Sequence, residues 1–174
     1  AGNGLDGIRL ENGAIRNSLG TAGAPGLNVI AFNGRNGVTL EATANARNAI
    51  LANLIHHNVG LGIDLGNDGP TPNDLNDSDT GPNQLQNFPV LTDARSASGT
   101  TIIEGGLSSA PNTGYLIEFF LNDTADPSGH GEGYRYLGAT STETKGNGEA
   151  TFSFSLPLTA VFTQFITATA TDPQ

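Results

Sequence analysis

The stretch from Asp64 to Asn83 reads DLGNDGPTPNDLNDSDTGPN, with five aspartates, four asparagines and no Lys, Arg or His in twenty residues. So much like charge in one loop calls for a cation. Hard divalent ions, calcium above all, bind six to eight oxygens from carboxylates, amides and backbone carbonyls. Asp64, Asp68, Asp74, Asn76, Asp77 and Asp79 offer such oxygens at close spacing, so they are the candidate metal ligands and calcium is the expected cofactor. In Asp77-Ser78-Asp79-Thr80-Gly81 alternate side chains of a tight turn can point at one centre. No glutamate stands at the twelfth position and no helical periodicity flanks the run, so it is not an EF-hand. The competing reading is a solvated loop in which Asp and Asn cap their own backbone and Pro70, Pro72 and Pro82 stiffen it.

Other constellations carry less. Glycoside hydrolysis needs two carboxyl groups on one face about 5 to 9 Å apart, and of Asp6, Glu11, Glu41 and Asp64 only Asp6 and Asp64 share a strand position. Arg9, Arg16, Arg35 and Arg47 are the basic candidates for a polysaccharide lyase, but single arginines on such faces are more often solvated or paired with Glu11 or Glu41. His56 and His57 are adjacent, and neighbours on a strand point to opposite faces, so a shared metal is not expected. There is no Gly-x-Ser-x-Gly nucleophile elbow. Asp123, Asp126 and Glu132 around His130 are a weaker second ion site, with a plain loop as the stronger reading. Tyr134 and Tyr136 share one strand face and fit a core or rim better than a sugar platform.

The elements that must position these groups are strands. The chain has 174 residues, of which 24 are Gly and nine are Pro, a composition that favours turns and strands over helices. A net charge of −10 with only seven basic residues argues against nucleic acid, whose phosphates require Lys and Arg clusters. No apolar stretch approaches the ~20 residues that span a bilayer, so membrane insertion is not expected. Without Cys there are no disulfides or thiolate metal sites. Residue 1 is not Met, which points to a piece of a longer product. Low Lys, abundant Asn, Thr and Gly, and the acidic loop suggest a secreted or cell-surface setting.

Gly7-Ile8-Arg9-Leu10, Gly37-Val38-Thr39-Leu40 and Gly62-Ile63-Asp64-Leu65 repeat the form Gly-aliphatic-polar-Leu and read as short strands. Ala14–Asn17, Asn28–Asn33 and Asn48–Ile55 form a second class of short strand bracketed by asparagines. Strands of three to five residues recurring every 25 to 30 residues, with Gly and Asn at the corners, suit about three coils of a right-handed parallel β-helix. The expected domains are coils over 1–66, a linking segment over 67–91 and an immunoglobulin-like β-sandwich over 92–174. The linking segment ends in Leu85–Leu91, whose apolar residues are expected to cap the last coil. The sandwich rests on five longer strands at Thr100–Gly105, Tyr115–Leu121, Tyr134–Ala139, Ala150–Leu156 and Phe165–Ala170, with Lys145-Gly146-Asn147-Gly148 as a hairpin turn. The fold class is therefore all-β.

With these residues in view, Gly60 to Leu91, GLGIDLGNDGPTPNDLNDSDTGPNQLQNFPVL, resembles the linking segment between the last coil and an immunoglobulin-like module in bacterial secreted or surface β-helix repeat proteins. Ile117-Glu118-Phe119-Phe120 and Asp126–Gly133 resemble parts of that module. The resemblance implies architecture and an extracellular address more than an activity. The family's last strand runs on past Thr-Ala-Thr-Asp-Pro, whereas this chain stops at Thr171-Asp172-Pro173-Gln174, which implies a missing strand and a groove of unpaired backbone groups. The expected function is a non-enzymatic structural protein that assembles head to tail into a homo-oligomer or polymer through open β-edges. The alternatives are an adhesin or carbohydrate-binding module for a surface glycan, and then a polysaccharide lyase or hydrolase fragment.

Overall fold

The computed structural model describes residues 2–23, 28–157 and 163–172, and over these residues the protein is all-β. Pro173 and Gln174, which close the Thr-Asp-Pro-Gln segment read above, lie outside the described residues.

The first seven strands are short: β1 (Ile8–Leu10), β2 (Ser18–Gly20), β3 (Val29–Ala31), β4 (Val38–Glu41), β5 (Ala49–Leu51), β6 (Leu54–His56) and β7 (Ile63–Gly66). The chain deals them in rotation to three parallel sheets, β1-β4-β7, β2-β5 and β3-β6. Val38 pairs with Ile8 on one side and Ile63 on the other, and Leu40 with Leu10 and Leu65, so the three Gly-aliphatic-polar-Leu repeats lie in register. Their aliphatic side chains meet Ile30, Ala44 and Ile55 in one core.

Corners in left-handed backbone keep these strands short. Arg16, Phe32, Arg47, Ala52 and His57 have φ between 53° and 68°, a region that costs an ordinary L-residue about 1 kcal/mol or more. Stacked asparagines hold the corners. Asn17 donates its backbone N–H and Nδ2 to Asn48 Oδ1 at 3.2 and 2.8 Å, and Asn33 does the same to Asn58 Oδ1 at 3.1 and 2.8 Å. This geometry corrects two expected strands. Ala14–Asn17 is not a strand, because Asn17 belongs to a corner and the strand begins at Ser18. Asn48–Ile55 is cut into β5 and β6, because Ala52 turns the chain with φ 53°.

The remaining strands are β8 (Val90–Ala97), β9 (Thr100–Ser108), β10 (Gly114–Asn122), β11 (Arg135–Glu143), β12 (Glu149–Leu156) and β13 (Phe165–Thr171). They form two antiparallel sheets, β12-β9-β8 and β11-β10-β13, over a shared core of Ile103, Leu107, Tyr115, Ile117, Phe119, Phe152 and Leu156. Sequence patterning misses β8 because its residues are mostly exposed and show no alternation. It pairs with β9 across a turn at Ser98 and Gly99, whose φ values of 51° and 81° suit a tight hairpin. Leu91, expected to cap the parallel strands, packs instead against the core of the two sheets. The turn at Lys145–Gly148 is present, with Gly148 N–H donating to Lys145 O at 2.9 Å. It passes between the sheets and does not close a hairpin, since β11 pairs with β10 and β12 with β9. Gly138, at φ 146°, lies under Phe154, and a Cβ there would stand 2.5 Å from that ring. The bare backbone lets Phe154 stack on Phe119 with centroids 4.9 Å apart.

Candidate metal centre

Asp74, Asp77 and Asp79 each bring a carboxylate oxygen within 4.8 Å of the others. Consecutive left-handed residues, Asn76 and Asp77 at φ 60° and 54°, fold the loop back on itself. Asn87, 2 % exposed, fixes that fold. Its backbone N–H donates to Asp77 Oδ1 at 2.7 Å, its Oδ1 accepts the Asp74 N–H at 3.0 Å, and its Nδ2 donates to the carbonyls of Asp74 and Ser108, both at 2.8 Å. The Asp74 carboxylate accepts the Ser78 N–H and hydroxyl.

The cluster is electrostatically loaded. Burial pushes the Asp77 carboxyl above the usual carboxylate range, and the charges of Asp79 and Asp74 push the same way against hydrogen bonds from Asn87 and Ser109. Burial and then Asp74 raise Asp79. Asp79 Oδ1 is buried with no hydrogen-bond partner, an expensive state for a carboxylate oxygen. Oxygens bound to one calcium at 2.3–2.6 Å stand at most about 5 Å apart, so these three carboxylates fit a single ion.

The other candidate ligands lie elsewhere. Asp64, on β7, is 5 % exposed and accepts Asn36 Nδ2 at 3.0 Å, Asn67 N–H at 3.1 Å and Gly69 N–H at 3.3 Å. It fixes the corner after β7, and burial raises its pKa despite those bonds. Asp68 lies over Gly66, and Asn76 turns toward Gly148. The structure thus brings together Asp74, Asp77 and Asp79, and Asp64 stands outside their group.

The acidic loop is part of a joint tied to both halves of the chain. Asn83 continues the asparagine ladder: its Oδ1 accepts the Asn48 N–H at 2.9 Å and its Nδ2 donates to Asn48 O at 2.6 Å. Asn87 and Gln86 then tie the segment to Ser108 and Ser109 at the end of β9. Glu132 takes the next rung after Asn33 and Asn58, accepting the Asn58 N–H and Nδ2 at 3.1 and 2.8 Å. Beside it, Ile55 and Gly133 exchange backbone hydrogen bonds of 3.0 and 2.6 Å. Glu118, fully buried on β10, accepts the Ala52 N–H at 3.0 Å and lies against Tyr136. Sequence reading missed these roles, although Asn83 follows Asn17 and Asn48 and Glu118 interrupts the apolar run of β10.

The remaining candidates have ordinary partners. Asn36 separates Asp6 from Asp64, taking Asp6 Oδ1 on its backbone N–H and Asp64 Oδ2 on its Nδ2. Arg9 pairs with Glu11 and Glu41, each at 2.9 Å. Asp123 accepts Gln164 Nε2, Asp126 caps Ser128, and Glu132 serves the ladder, so these three do not gather around His130. Tyr136 is half-buried, whereas Tyr134 is 43 % exposed. A cavity of about 560 Å³ lies between β7, the segment 83–91 and β13, and none of the clustered aspartates lines it. Among the described residues no helix is long and apolar enough to cross a membrane.

No protein-family model and no curated protein matches this chain. Its own geometry therefore carries the functional reading.

Proposed function

We propose that the chain is a non-enzymatic extracellular structural module in which calcium stiffens the joint between two β units. The first unit reads as a short right-handed parallel β-helix of about three coils, supported by the rotation of strands among three parallel sheets. The second reads as an immunoglobulin-like sandwich, supported by two facing antiparallel sheets. The combination is similar to the end of bacterial secreted or surface β-helix proteins.

The observation that carries this reading is the convergence of Asp74, Asp77 and Asp79 in a segment hydrogen-bonded to both units through Asn83 and Asn87. Their three carboxylates would hold the ion, with water and backbone carbonyls completing a flexible oxygen shell. The ion supplies positive charge that offsets their mutual repulsion, so binding stabilises the folded joint. The proposed self-association is supported by the outer edge of the parallel sheets, where β1, β2 and β3 each pair on one side only among the described residues. Leu5, Ile15 and Val29 near that edge are at least half exposed. A second copy or a further coil can stack there.

Thermal unfolding with calcium and with a chelator tests the joint, and small-angle scattering under the same conditions reads the angle between the units. An unchanged melting temperature removes calcium from the proposal. Light scattering that reports a strict monomer over a wide concentration range removes self-association.

A further inference from the structure

The cavity of about 560 Å³ at the joint opens into both cores of the chain. Ile50, Ile63 and Leu65, at the open end of the parallel strands, line one side, and Leu91, Ile166 and Ala168 of the two-sheet core line the other. Each of these side chains packs against a core yet is only partly buried. The strand β13 borders both sides. Among the described residues it pairs with β10 alone. Every residue from Ile166 to Asp172 lines the cavity, whichever face of the sheet its side chain takes. The cavity therefore runs along the open edge of β13, where alternate backbone N–H and C=O groups meet no other strand.

Thr169 sits in this wall. It stands opposite Glu118 in the register of β13 and β10, and Glu118 reaches the corner at Ala52 from the same face of the sheet. Its Oγ1 is buried without a hydrogen-bond partner, a state that costs stability until a partner arrives. On a strand added beside β13, a Thr or Ser opposite Thr169 supplies that partner, because hydroxyls paired across strands bond each other. The alternate residues of such a strand fall on the face of Ile166 and Ala168, where the core is open.

These features select the occupant. A small apolar molecule covers the walls and leaves the β13 edge unpaired, and a folded second copy is too large to enter. A peptide backbone matches the edge. Among the residues that line the cavity, Glu132 and Asp172 are acidic and Arg47 is the one Lys or Arg, on a chain of net charge −10, so a neutral or basic segment is favoured.

We propose that the cavity receives an extended, neutral or basic peptide segment of another protein, with alternating apolar and hydroxyl residues. The segment adds to the sheet β11-β10-β13 as a fourth strand and sets a hydroxyl against Thr169 Oγ1. Binding here rests on the open β-edges of the proposed structural module and requires neither calcium nor self-association.

The probe is the peptide acetyl-Lys-Val-Thr-Val-Thr-Val-Lys-amide, titrated into the whole chain with calcium and with chelator and read by calorimetry and by hydrogen exchange. One peptide per chain is expected, with slowed exchange of alternate amides over Ile166–Thr171. Two versions N-methylated at alternate sets of residues should differ in affinity by roughly tenfold or more, since only one set turns its N–H groups toward β13. Replacing the peptide's threonines by valine should weaken binding in the parent chain and not in Thr169→Val. Light scattering of the chain alone reads self-association separately, so either can fail without the other. Absence of binding at millimolar peptide, slowed exchange confined to β8, or equal affinity of the two N-methylated versions would overturn the proposal, the last by showing an apolar occupant in place of an added strand.

Discussion

Glu118 Oε2, on the middle strand of the sheet β11-β10-β13, accepts the backbone N–H of Ala52, the left-handed corner between β5 and β6, at 3.0 Å. A fully buried carboxyl thus seals an orphan donor across the junction, and its second oxygen, Oε1, has no hydrogen-bond partner.

Burial raises the Glu118 pKa, so the folded state holds its proton at pH values where the unfolded chain has released it. Stability contributed by this group is present below the ordinary glutamate value of about 4.3 and is lost as pH rises through the raised folded value. Asp77 and Asp79 act in the same direction. Urea midpoints measured from pH 4 to 8 in chelator should therefore fall with rising pH, and Glu118→Gln should flatten that slope.

Calcium should reverse part of the slope, because it binds the deprotonated aspartates. Its stabilising effect should be negligible near pH 4 and grow toward pH 8, reaching about 2.7 kcal/mol at a hundredfold excess over Kd. Asp77→Asn and Asp79→Asn should each abolish most of the gain, as read by calorimetry with and without calcium.

Asn48 is 3 % exposed and bonds to both Asn17 and Asn83. Asn48→Ala removes the side chain that pairs with the Asn17 N–H and with the Ala14 and Asn45 carbonyls and should destabilise the chain by about 3 kcal/mol. Asn83→Ala should cost less, about 1–2 kcal/mol, and should widen the distribution of angles between the units in small-angle scattering.

Gly138→Ala forces a Cβ into the Phe154 ring at φ 146°, and a loss of about 2–3 kcal/mol is expected in denaturant unfolding. Gly114→Ala, where a Cβ meets nothing within 4 Å, is the control and should stay within about 0.5 kcal/mol of the parent.

Val29→Lys places a charge at the outer edge of the parallel sheets, where Val29 is 63 % exposed. Sedimentation should show loss of self-association with an unchanged melting temperature, since charged edges block strand addition.

The repeats, the all-β class and the supply of acidic side chains in one loop were legible because they depend on local pattern. Period-two alternation over Phe152 and Phe154, and the recurrence of Gly-aliphatic-polar-Leu, state which side chains face inward whatever lies opposite. The corners were less legible. Phe32, Ala52 and His57 adopt left-handed backbone against their own preference, and contacts from elsewhere in the chain, such as Glu118 on the Ala52 N–H, help hold these corners.

The amino-acid sequence by itself determined the strand-rich class, the repeat spacing and the supply of oxygen ligands, all set by residue type over a few neighbours. The tertiary structure decided which aspartates meet, that Asp64 caps a corner, and that Glu118 and Glu132 bond the two halves. These are contacts between residues far apart in the chain, or turns held by such contacts, so the register and the corners fix them and sequence spacing cannot.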